Sequence, residues 1–213
     1  MSMDTKFPLK RVLKGRLLKI AELQDRVMLE LASRFNVALH GGTAIWRVYG
    51  GKRFSFDIDV YYGKPSEIAE FFSSSSEFTV SKSRVTGSGT AYLRFEDQGV
   101  SVELEASRMF KPRETIDGQY FLVEGDSIIV RTLSAESLLQ EKIEAFKSRG
   151  KARDLYDIFH LLGIAKASRG LGTLLPLKEP KDFGGLREII LLGKVPDFAT
   201  IERLVKMYAK EKV

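Results

Sequence analysis

Apolar residues recur along the chain with two different periods. From about Leu17 to Phe35 their spacing is helical, and a period near 3.6 residues predicts an amphipathic helix. Over residues 54–60, 77–84, 90–96 and 100–106, apolar and polar residues alternate. Such alternation predicts strands with one face turned toward a core. The first half of the chain is therefore predicted to contain a sheet with helices packed against it.

The pattern changes in the second half of the chain. A hairpin is predicted over residues 119–130, and apolar residues then return to helical spacing. Ser134 is a predicted N-cap of a helix that runs to Arg149 and stops at the glycine after it. Three more helices are predicted at about residues 153–163, 182–192 and 199–210. We therefore predict an α/β part in residues 1–132 and a helical part in residues 133–213.

A glycine pair follows a short apolar strand at residues 37–39. Gly41 and Gly42 are predicted to form a turn, and Thr43 is predicted to cap a short helix over residues 44–49. Glycines let backbone N–H groups approach a phosphate closely, and the positive end of the helix points the same way. This segment is therefore predicted to bind phosphate.

Two carboxylates share one face of the alternating stretch 54–60. Asp57, Asp59 and Ser55 fall on the polar face, and the apolar face consists of Phe54, Phe56, Ile58 and Val60. Carboxylates one residue apart on the same face repel each other, so the arrangement favours a bound cation, usually a divalent metal. A phosphate-binding turn beside a metal site suggests phosphoryl or nucleotidyl transfer.

A third carboxylate is expected from a neighbouring strand. The stretch 100–106 alternates in the same way as the Asp57 stretch, and Glu103 and Glu105 lie on its polar face. If that face meets Asp57 and Asp59, one glutamate completes a site for one or two Mg²⁺ ions. The alternative is that both glutamates belong to the outward polar face of an amphipathic strand.

The lysine at position 142 lies near the middle of the apolar arc of its helix. A buried lysine is costly unless it pairs with a carboxylate or reaches a ligand. Lys142 is therefore expected either to bind phosphate or to form a structural ion pair with Asp154 or Asp157. Asp154 borders the apolar arc of the next helix and could cap that helix or share a cluster with Lys142. Asp157 is expected to point further toward solvent.

Composition narrows the function classes. The 213 residues carry a net charge of +6 and include no cysteine and two histidines. Disulfides and thiol catalysis are excluded, a zinc site is disfavoured, and the apolar runs are too short to cross a membrane. Neither a P-loop nor a G-x-G-x-x-G pattern is present. A cytoplasmic protein is expected.

Basic residues concentrate in two segments, and these permit an anionic partner such as RNA. The two segments contain Lys6, Lys10, Arg11, Lys14, Arg16 and Lys19, and then Lys142, Lys147, Arg149, Lys151 and Arg153. Arg47 and Arg53 flank the carboxylates in sequence and could contact phosphates, with surface pairing as the alternative. His40 adjoins the glycine pair and could touch a ligand, but it is expected to be a packed or exposed bystander. His160 has no expected role.

Four segments taken in order resemble the AbiEii/AbiGii-type nucleotidyltransferases, a branch of the polymerase-β-like superfamily. They are Gly41-Gly42-Thr43-Ala44, Arg53-x-Ser55-x-Asp57-Ile58-Asp59, Glu141-Lys142-x-x-Ala145 and Lys151-x-Arg153-Asp154-Leu155-Tyr156-Asp157. The resemblance covers about Leu39 to Leu162. It implies an α+β fold in which a mixed β-sheet with flanking helices is followed by a helical C-terminal bundle that completes the active-site cleft.

The resemblance also implies site residues. Asp57 and Asp59, with Glu105 preferred to Glu103 as the third ligand, would hold Mg²⁺ or Mn²⁺. Lys142 would contact the triphosphate of an NTP, and Asp154 would be the later essential aspartate, with Asp157 as the second choice. The residues expected to bind the nucleotide are Gly41, Gly42, Thr43, Arg53, Ser55, Lys142 and Asp157. Threonine stands here where the wider superfamily has serine, and its hydroxyl can still donate to phosphate.

The activity implied by the resemblance is transfer of NMP from an NTP to a hydroxyl of RNA, such as tRNA, or of a protein. The protein would be the toxin of a toxin–antitoxin pair and would have a cognate antitoxin as a partner. Two alternatives stay open at this point. One is a non-catalytic nucleotide- or RNA-binding module, and the other is a small-molecule nucleotidyltransferase.

Overall fold

The computed structural model describes residues 9–166 and 169–210, so Lys6 of the first basic segment lies outside the described residues. The strands are β1 (Ala38–His40), β2 (Ile58–Tyr61), β3 (Thr79–Val85), β4 (Ala91–Asp97), β5 (Val100–Ser107), β6 (Thr115–Phe121) and β7 (Ser127–Leu133). The α-helices are α1 (Gly15–Arg34), α2 (Gly41–Arg47), α3 (Pro65–Ser74), α4 (Ala135–Arg149), α5 (Ala152–Leu162), α6 (Leu186–Ile189) and α7 (Phe198–Lys210). Short 3₁₀ turns lie at Leu9–Arg11, Leu171–Leu174 and Phe183–Gly185.

All seven strands form one mixed sheet, in the order β3-β4-β5-β2-β1-β7-β6. Neighbouring strands are antiparallel except for the pairs β2–β5 and β1–β7, which are parallel. The predicted mixed sheet with flanking helices is therefore confirmed. The order places β2, which follows Asp57, beside β5, which carries both candidate glutamates.

The two faces of the sheet differ in polarity. Leu93, Leu104 and Ile58 belong to the apolar face, where they are buried. Helices α1 and α3 cover this face, and Phe72 of α3 packs edge-on against Phe95 of β4 with ring centroids 4.9 Å apart. The intervening polar residues form the opposite face, which is exposed along β3 and β4.

Helix α4 has the boundaries that its sequence predicts. The hydroxyl of Ser134 accepts a hydrogen bond from the backbone N–H of Ser137, and Gly150 ends the helix with a φ of +59°. That left-handed conformation strains any residue with a Cβ. Helices α4 and α5 pack together, and their apolar residues share one hydrophobic core with the sheet. The division of the chain at residues 132 and 133 stays a prediction.

Several local predictions are corrected by the structure. The strand predicted over residues 54–60 begins only at Ile58, and Phe56, which is therefore not held by the ladder, is 42% exposed. Helix α2 already begins at Gly41, so Thr43 does not cap it. Helix α3, which the predictions above do not include, begins with Pro65 in its first turn, where the missing N–H of proline costs nothing. The predicted helix 182–192 is reduced to a 3₁₀ turn and α6.

The segment after α6 crosses back to the site and holds Arg53. The backbone of Arg53 forms a β-bridge with Ile190, the N–H of Phe54 donates to the carbonyl of Ile189, and the N–H of Leu191 donates to the carbonyl of Lys52. These bonds fix both sides of Arg53. A segment from the C-terminal third therefore positions a side chain of the N-terminal half.

A second buried ion pair joins α1, α2 and the β6–β7 hairpin. Asp25 of α1 accepts hydrogen bonds from Arg47 of α2, from the hydroxyl of Tyr120 and from the backbone N–H of Val123. Arg47 is 1% exposed, so the prediction that it could contact phosphates is wrong. It lies in the core because Asp25 compensates its charge.

None of the helices among residues 9–166 and 169–210 combines the length and the apolar composition that a membrane crossing requires.

The Asp25 cluster predicts that replacing Asp25 lowers the free energy of unfolding much more than replacing a surface aspartate does. Asp25→Ala leaves the buried Arg47 without its carboxylate, so we expect it to lower the free energy of unfolding by about 3–5 kcal/mol. Asp97→Ala removes the surface partner of Arg26, and we expect it to cost at most about 1 kcal/mol. Urea unfolding followed by circular dichroism measures both. Equal losses for the two variants would contradict this account of the core.

Candidate active site

Three acidic side chains line up across the polar face of the sheet. The parallel pairing of β2 with β5 sets Asp59 opposite Glu105, and it sets Ile58 opposite Leu104. Asp57 directly precedes β2 and therefore lies on the same face as Asp59, on the side of Glu103. The sheet thus brings Asp57 and Asp59 next to the strand of the predicted third carboxylate.

These carboxylates repel each other. Burial and the neighbouring charge of Asp59 raise the pKa of Asp57, which Glu103 raises further while Arg153 and Arg53 oppose the shift. Burial and Asp59 also raise the pKa of Glu105. The negative charge of the group is therefore only partly compensated by the protein, and a cation would lower its free energy.

The two glutamates differ in their surroundings. Glu103 is exposed and forms an ion pair with Arg94, with an Nη2–Oε1 distance of 2.5 Å. Glu105 is less exposed and directly faces Asp59 across the ladder. Both line a cavity of about 400 Å³ together with Asp57 and Asp59. The surroundings of Glu105 fit the preference for it over Glu103.

The glycine pair lies against this carboxylate group from the other side. Gly41 has a φ of +69°, and a Cβ on it would collide with the carboxylate of Asp59. A Cβ on Gly42 would lie 2.5 Å from the hydroxyl of Ser55 and 2.6 Å from Nη2 of Arg53. Only glycine lets α2 start this close to the carboxylates and to Arg53. The hydroxyl of Thr43 is buried and donates to the backbone carbonyl of Asp57.

A buried ion-pair network supplies the second wall of the site. Asp157 of α5 accepts two hydrogen bonds from Arg53, at 2.9 and 2.7 Å, and its Oδ2 lies 2.8 Å from Nζ of Lys142. Burial opposes ionisation of Asp157, but the two cations outweigh it and lower the pKa of Asp157 to about 2. Lys142 is 7% exposed, as its place in the apolar arc of α4 predicts.

The position of Asp157 corrects one prediction. The helical arc had suggested that Asp157 points toward solvent, yet it is 1% exposed. Arg53, whose position depends on the segment after α6, covers that side of α5, and helix periodicity could not reveal this cover. Asp154 is also buried and accepts two 2.7 Å hydrogen bonds from Arg149, while Lys142 lies 3.7 Å away. Asp154 therefore joins the shared cluster rather than capping α5.

The structure thus brings the predicted site residues into one region. Carboxylates lie on the sheet, the glycine pair lies at the start of α2, and Arg53 and Lys142 meet at Asp157 of α5. The region contains Gly41, Gly42, Thr43, Arg53, Ser55, Asp57, Asp59, Glu105, Lys142, Asp154 and Asp157.

A metal ion would need oxygen ligands at this point. Across the described part of the chain, no three His, Cys, Asp or Glu side chains are arranged as they stand to hold one ion, so the three-carboxylate site stays a prediction. The donor set nevertheless fits Mg²⁺ or Mn²⁺, because hard cations prefer carboxylate oxygens. Burial, and after it the charge of Asp59, raises the pKa of Asp57 and Glu105, and a bound cation would offset both effects.

The contacts of His40, which lies beside the carboxylates, were not predicted from the sequence. His40 pairs with Asp59 across β1 and β2, stacks on Tyr61 with ring centroids 3.8 Å apart, and has Nδ1 3.3 Å from a carboxylate oxygen of Glu141. Hydrogen bonds from His40 and Tyr61 outweigh burial and lower the pKa of Glu141. His40 is therefore a packed residue, which agrees with the expected packed or exposed bystander, but its contacts with Tyr61 and Glu141 were not predicted. Its place at the end of a strand facing the Asp59 strand was the available signal.

Two solved structures are similar to this chain. A crystal structure of JHP933 from Helicobacter pylori superposes with a TM-score of 0.64 at 22% identity, covering 93% of this chain and 94% of that one. A crystal structure of a candidate nucleotidyltransferase from H. pylori gives a TM-score of 0.63 at 22% identity, covering 93% and 97%. At this identity the likeness shows the shared fold. No curated protein matches the chain.

The sequence itself matches a family model. The model describes the AbiEii nucleotidyl transferase toxin of type IV toxin–antitoxin systems, and it matches residues 23–177. That range holds the glycine pair, the carboxylates, Lys142 and both late aspartates, and it exceeds half of the chain. The chain therefore belongs to the AbiEii nucleotidyl transferase toxin family.

Proposed function

We propose that this protein is a Mg²⁺-dependent nucleotidyltransferase that transfers NMP from an NTP to a hydroxyl acceptor. The observation that carries the proposal is that side chains of opposite charge are brought together in one region. Uncompensated carboxylates lie on the sheet, the guanidinium of Arg53 lies near enough to oppose the raised pKa of Asp57, and Asp157 joins Arg53 to the ammonium of Lys142. A metal-bound triphosphate needs both, because it carries a cation toward the carboxylates and anionic oxygens toward Arg53 and Lys142.

Each residue has a distinct task in this proposal. Asp57, Asp59 and Glu105 would hold the metal, which when bound neutralises charge on the phosphates and lowers the pKa of an attacking hydroxyl. Gly41 and Gly42 let backbone N–H groups at the start of α2 approach the phosphates. The acceptor oxygen bonds to the α-phosphorus while the bond to pyrophosphate breaks, and the hydroxyl proton is released to solvent.

The late aspartates act as positioning residues. Asp157 holds Arg53 and Lys142 at bonding distance from one carboxylate, so both cations are fixed before a nucleotide arrives. Asp154 does the same for Arg149. Such preorganisation avoids the cost of ordering long side chains during binding. Ser55 lies next to Gly42 and completes the phosphate side.

The physiological setting we propose is that of a toxin. The acceptor would be RNA, such as tRNA, or a protein, and a separately encoded antitoxin would neutralise the activity. The family of the chain supports this setting. The clustered basic residues at the end of α4 and the start of α5 suit an anionic acceptor.

The carboxylates predict a metal-dependent activity with a defined third ligand. With labelled NTP, Mg²⁺ and total cellular RNA or protein, we expect labelling by the wild-type chain and none by Asp57→Asn. Glu105→Gln should slow transfer by at least ~10- to 100-fold, the cost typical even of an outer-shell metal partner. Glu103→Gln is the matched control and should retain activity, because Glu103 pairs with Arg94 at the surface.

Two outcomes would contradict this assignment. Labelling by Asp57→Asn at the wild-type rate would show that Asp57 is not needed for transfer. A larger loss of transfer rate in Glu103→Gln than in Glu105→Gln would show that Glu103, not Glu105, is the third ligand.

The network on α4 and α5 predicts residues that bind the nucleotide. Lys142→Met and Arg53→Gln should each weaken binding of a fluorescent NTP by ~10- to 100-fold, because each removes a charge-assisted hydrogen bond to phosphate. Lys147→Met is the matched control, since Lys147 is exposed on the same helix. Fluorescence anisotropy measures the affinities, and thermal unfolding checks that each variant is folded. Unchanged NTP affinity in folded Lys142→Met and Arg53→Gln would leave the network with a purely structural role.

A further inference from the structure

Two cations and an aromatic ring continue the polar face of the sheet beyond the carboxylates. Residues opposite one another in a ladder share a face, and the pairings Arg84–Tyr92, Tyr92–Glu105 and Glu105–Asp59 form one continuous row. Lys82 lies in the next row, opposite Arg94. We call Lys82, Arg84 and Tyr92 the β3–β4 platform. All three line the same cavity of about 400 Å³ as Asp57 and Asp59.

The platform has exposed charge without a protein partner. Lys82 and Arg84 are exposed, and neither forms an ion pair with a carboxylate of the described residues. Arg94, by contrast, is neutralised by Glu103. Tyr92 is 39% exposed, although its neighbours Ala91 and Leu93 are buried. The platform therefore offers one ring face and two uncompensated cations to the cavity.

The position of the platform relative to the carboxylates indicates whether it contacts the NTP or the acceptor. In phosphoryl and nucleotidyl transfer the attacking and leaving oxygens lie roughly in line on opposite sides of phosphorus. The residues proposed to bind the triphosphate, Gly41, Gly42 and Lys142, belong to α2 and α4. Helix α2 packs on β2, β1 and β6, and α4 packs on β7, so both helices lie over β2 or the strands on its β1 side. The platform lies on the β5 side. With the triphosphate bound there, an acceptor hydroxyl in line with the leaving pyrophosphate would lie on the platform side.

The size of the platform fits a chain rather than a small molecule. Neighbouring strands are about 4.8 Å apart, so β4 lies about 10 Å and β3 about 14 Å from β2. A group bound on Tyr92 and Arg84 would therefore extend well away from the reacting hydroxyl. Aromatic rings flanked by Lys and Arg bind single-stranded nucleic acid, because bases stack on the ring and phosphates contact the cations.

We propose that the β3–β4 platform binds the acceptor as a single-stranded nucleic-acid end, with a base stacked on Tyr92 and backbone phosphates at Arg84 and Lys82. This inference rests on the proposed nucleotidyl transfer and specifies its acceptor class. A protein hydroxyl would bring neither a base for the ring nor phosphates for the cations.

Binding of fluorescein-labelled single-stranded RNA and DNA oligonucleotides to the full chain tests the platform without catalysis. Tyr92→Ala should weaken binding ~5- to 100-fold, the range of one base–aromatic stack, and Tyr92→Phe should bind nearly as the wild type does. The double variant Lys82→Ala/Arg84→Ala should lower the slope of log affinity against log salt by about 1 to 2. Stronger binding of RNA than of DNA would identify the 2′-hydroxyl as a further contact, and equal binding would limit recognition to base and phosphate.

The control variants remove an aromatic ring and a cation that lie outside the platform. Phe110→Ala removes an exposed ring beyond the end of β5, and Lys206→Ala removes an exposed cation on α7; both should bind as the wild type does. Oligonucleotide affinities of Tyr92→Ala and of the double variant that equal those of the controls would overturn the proposal. So would transfer to protein acceptors with a KM that the platform variants leave unchanged.

The outcomes separate the two proposals. If the platform variants lose oligonucleotide binding but the wild type transfers no nucleotide, the platform stands and the transferase activity fails. If the wild type transfers nucleotide to RNA and the platform variants keep its KM, the activity stands and the platform fails.

Discussion

The carboxylate of Asp157 is the point on which the candidate site depends. It binds Arg53 from the loop before β2 and Lys142 from α4, and it belongs to α5, so three parts of the chain meet at one buried anion. Its low pKa reflects two cations that outweigh the cost of burial. Removing one partner of such a group typically costs about 3–5 kcal/mol. The cations are therefore held firmly beside the sheet without any ligand.

The sheet supplies the opposite charge in a less compensated form. Asp57, Asp59 and Glu105 lie close enough together that burial and mutual repulsion raise the pKa of Asp57 and Glu105. The protein thus fixes two buried cations on the single carboxylate of Asp157 but leaves the carboxylates of the sheet in need of a counter-ion. This asymmetry is what a site for a metal-bound triphosphate requires, and the membership of the chain in the AbiEii family agrees with it.

Sequence patterns predicted most of the sheet and the inward position of Lys142, because both follow from local periodicity. The strand 100–106 and helix α4 lie almost where alternation and capping place them. The environment of Asp157 could not be predicted in this way, because the cover over it is Arg53, which a bridge to Ile190 fixes from far along the chain. Arg47 was misassigned for a similar reason: its partner Asp25 is distant in sequence and gives no periodic signal.

The central claim is that the cleft transfers a nucleotide rather than a phosphate. Parallel reactions with NTP labelled at the α- or the γ-phosphate, in the presence of Mg²⁺ and total cellular RNA or protein, test it most directly. The account predicts that the α-label becomes attached to the acceptor and that the γ-label is released as pyrophosphate. Attachment of the γ-label to the acceptor, or hydrolysis of the NTP with no labelled acceptor, would contradict it.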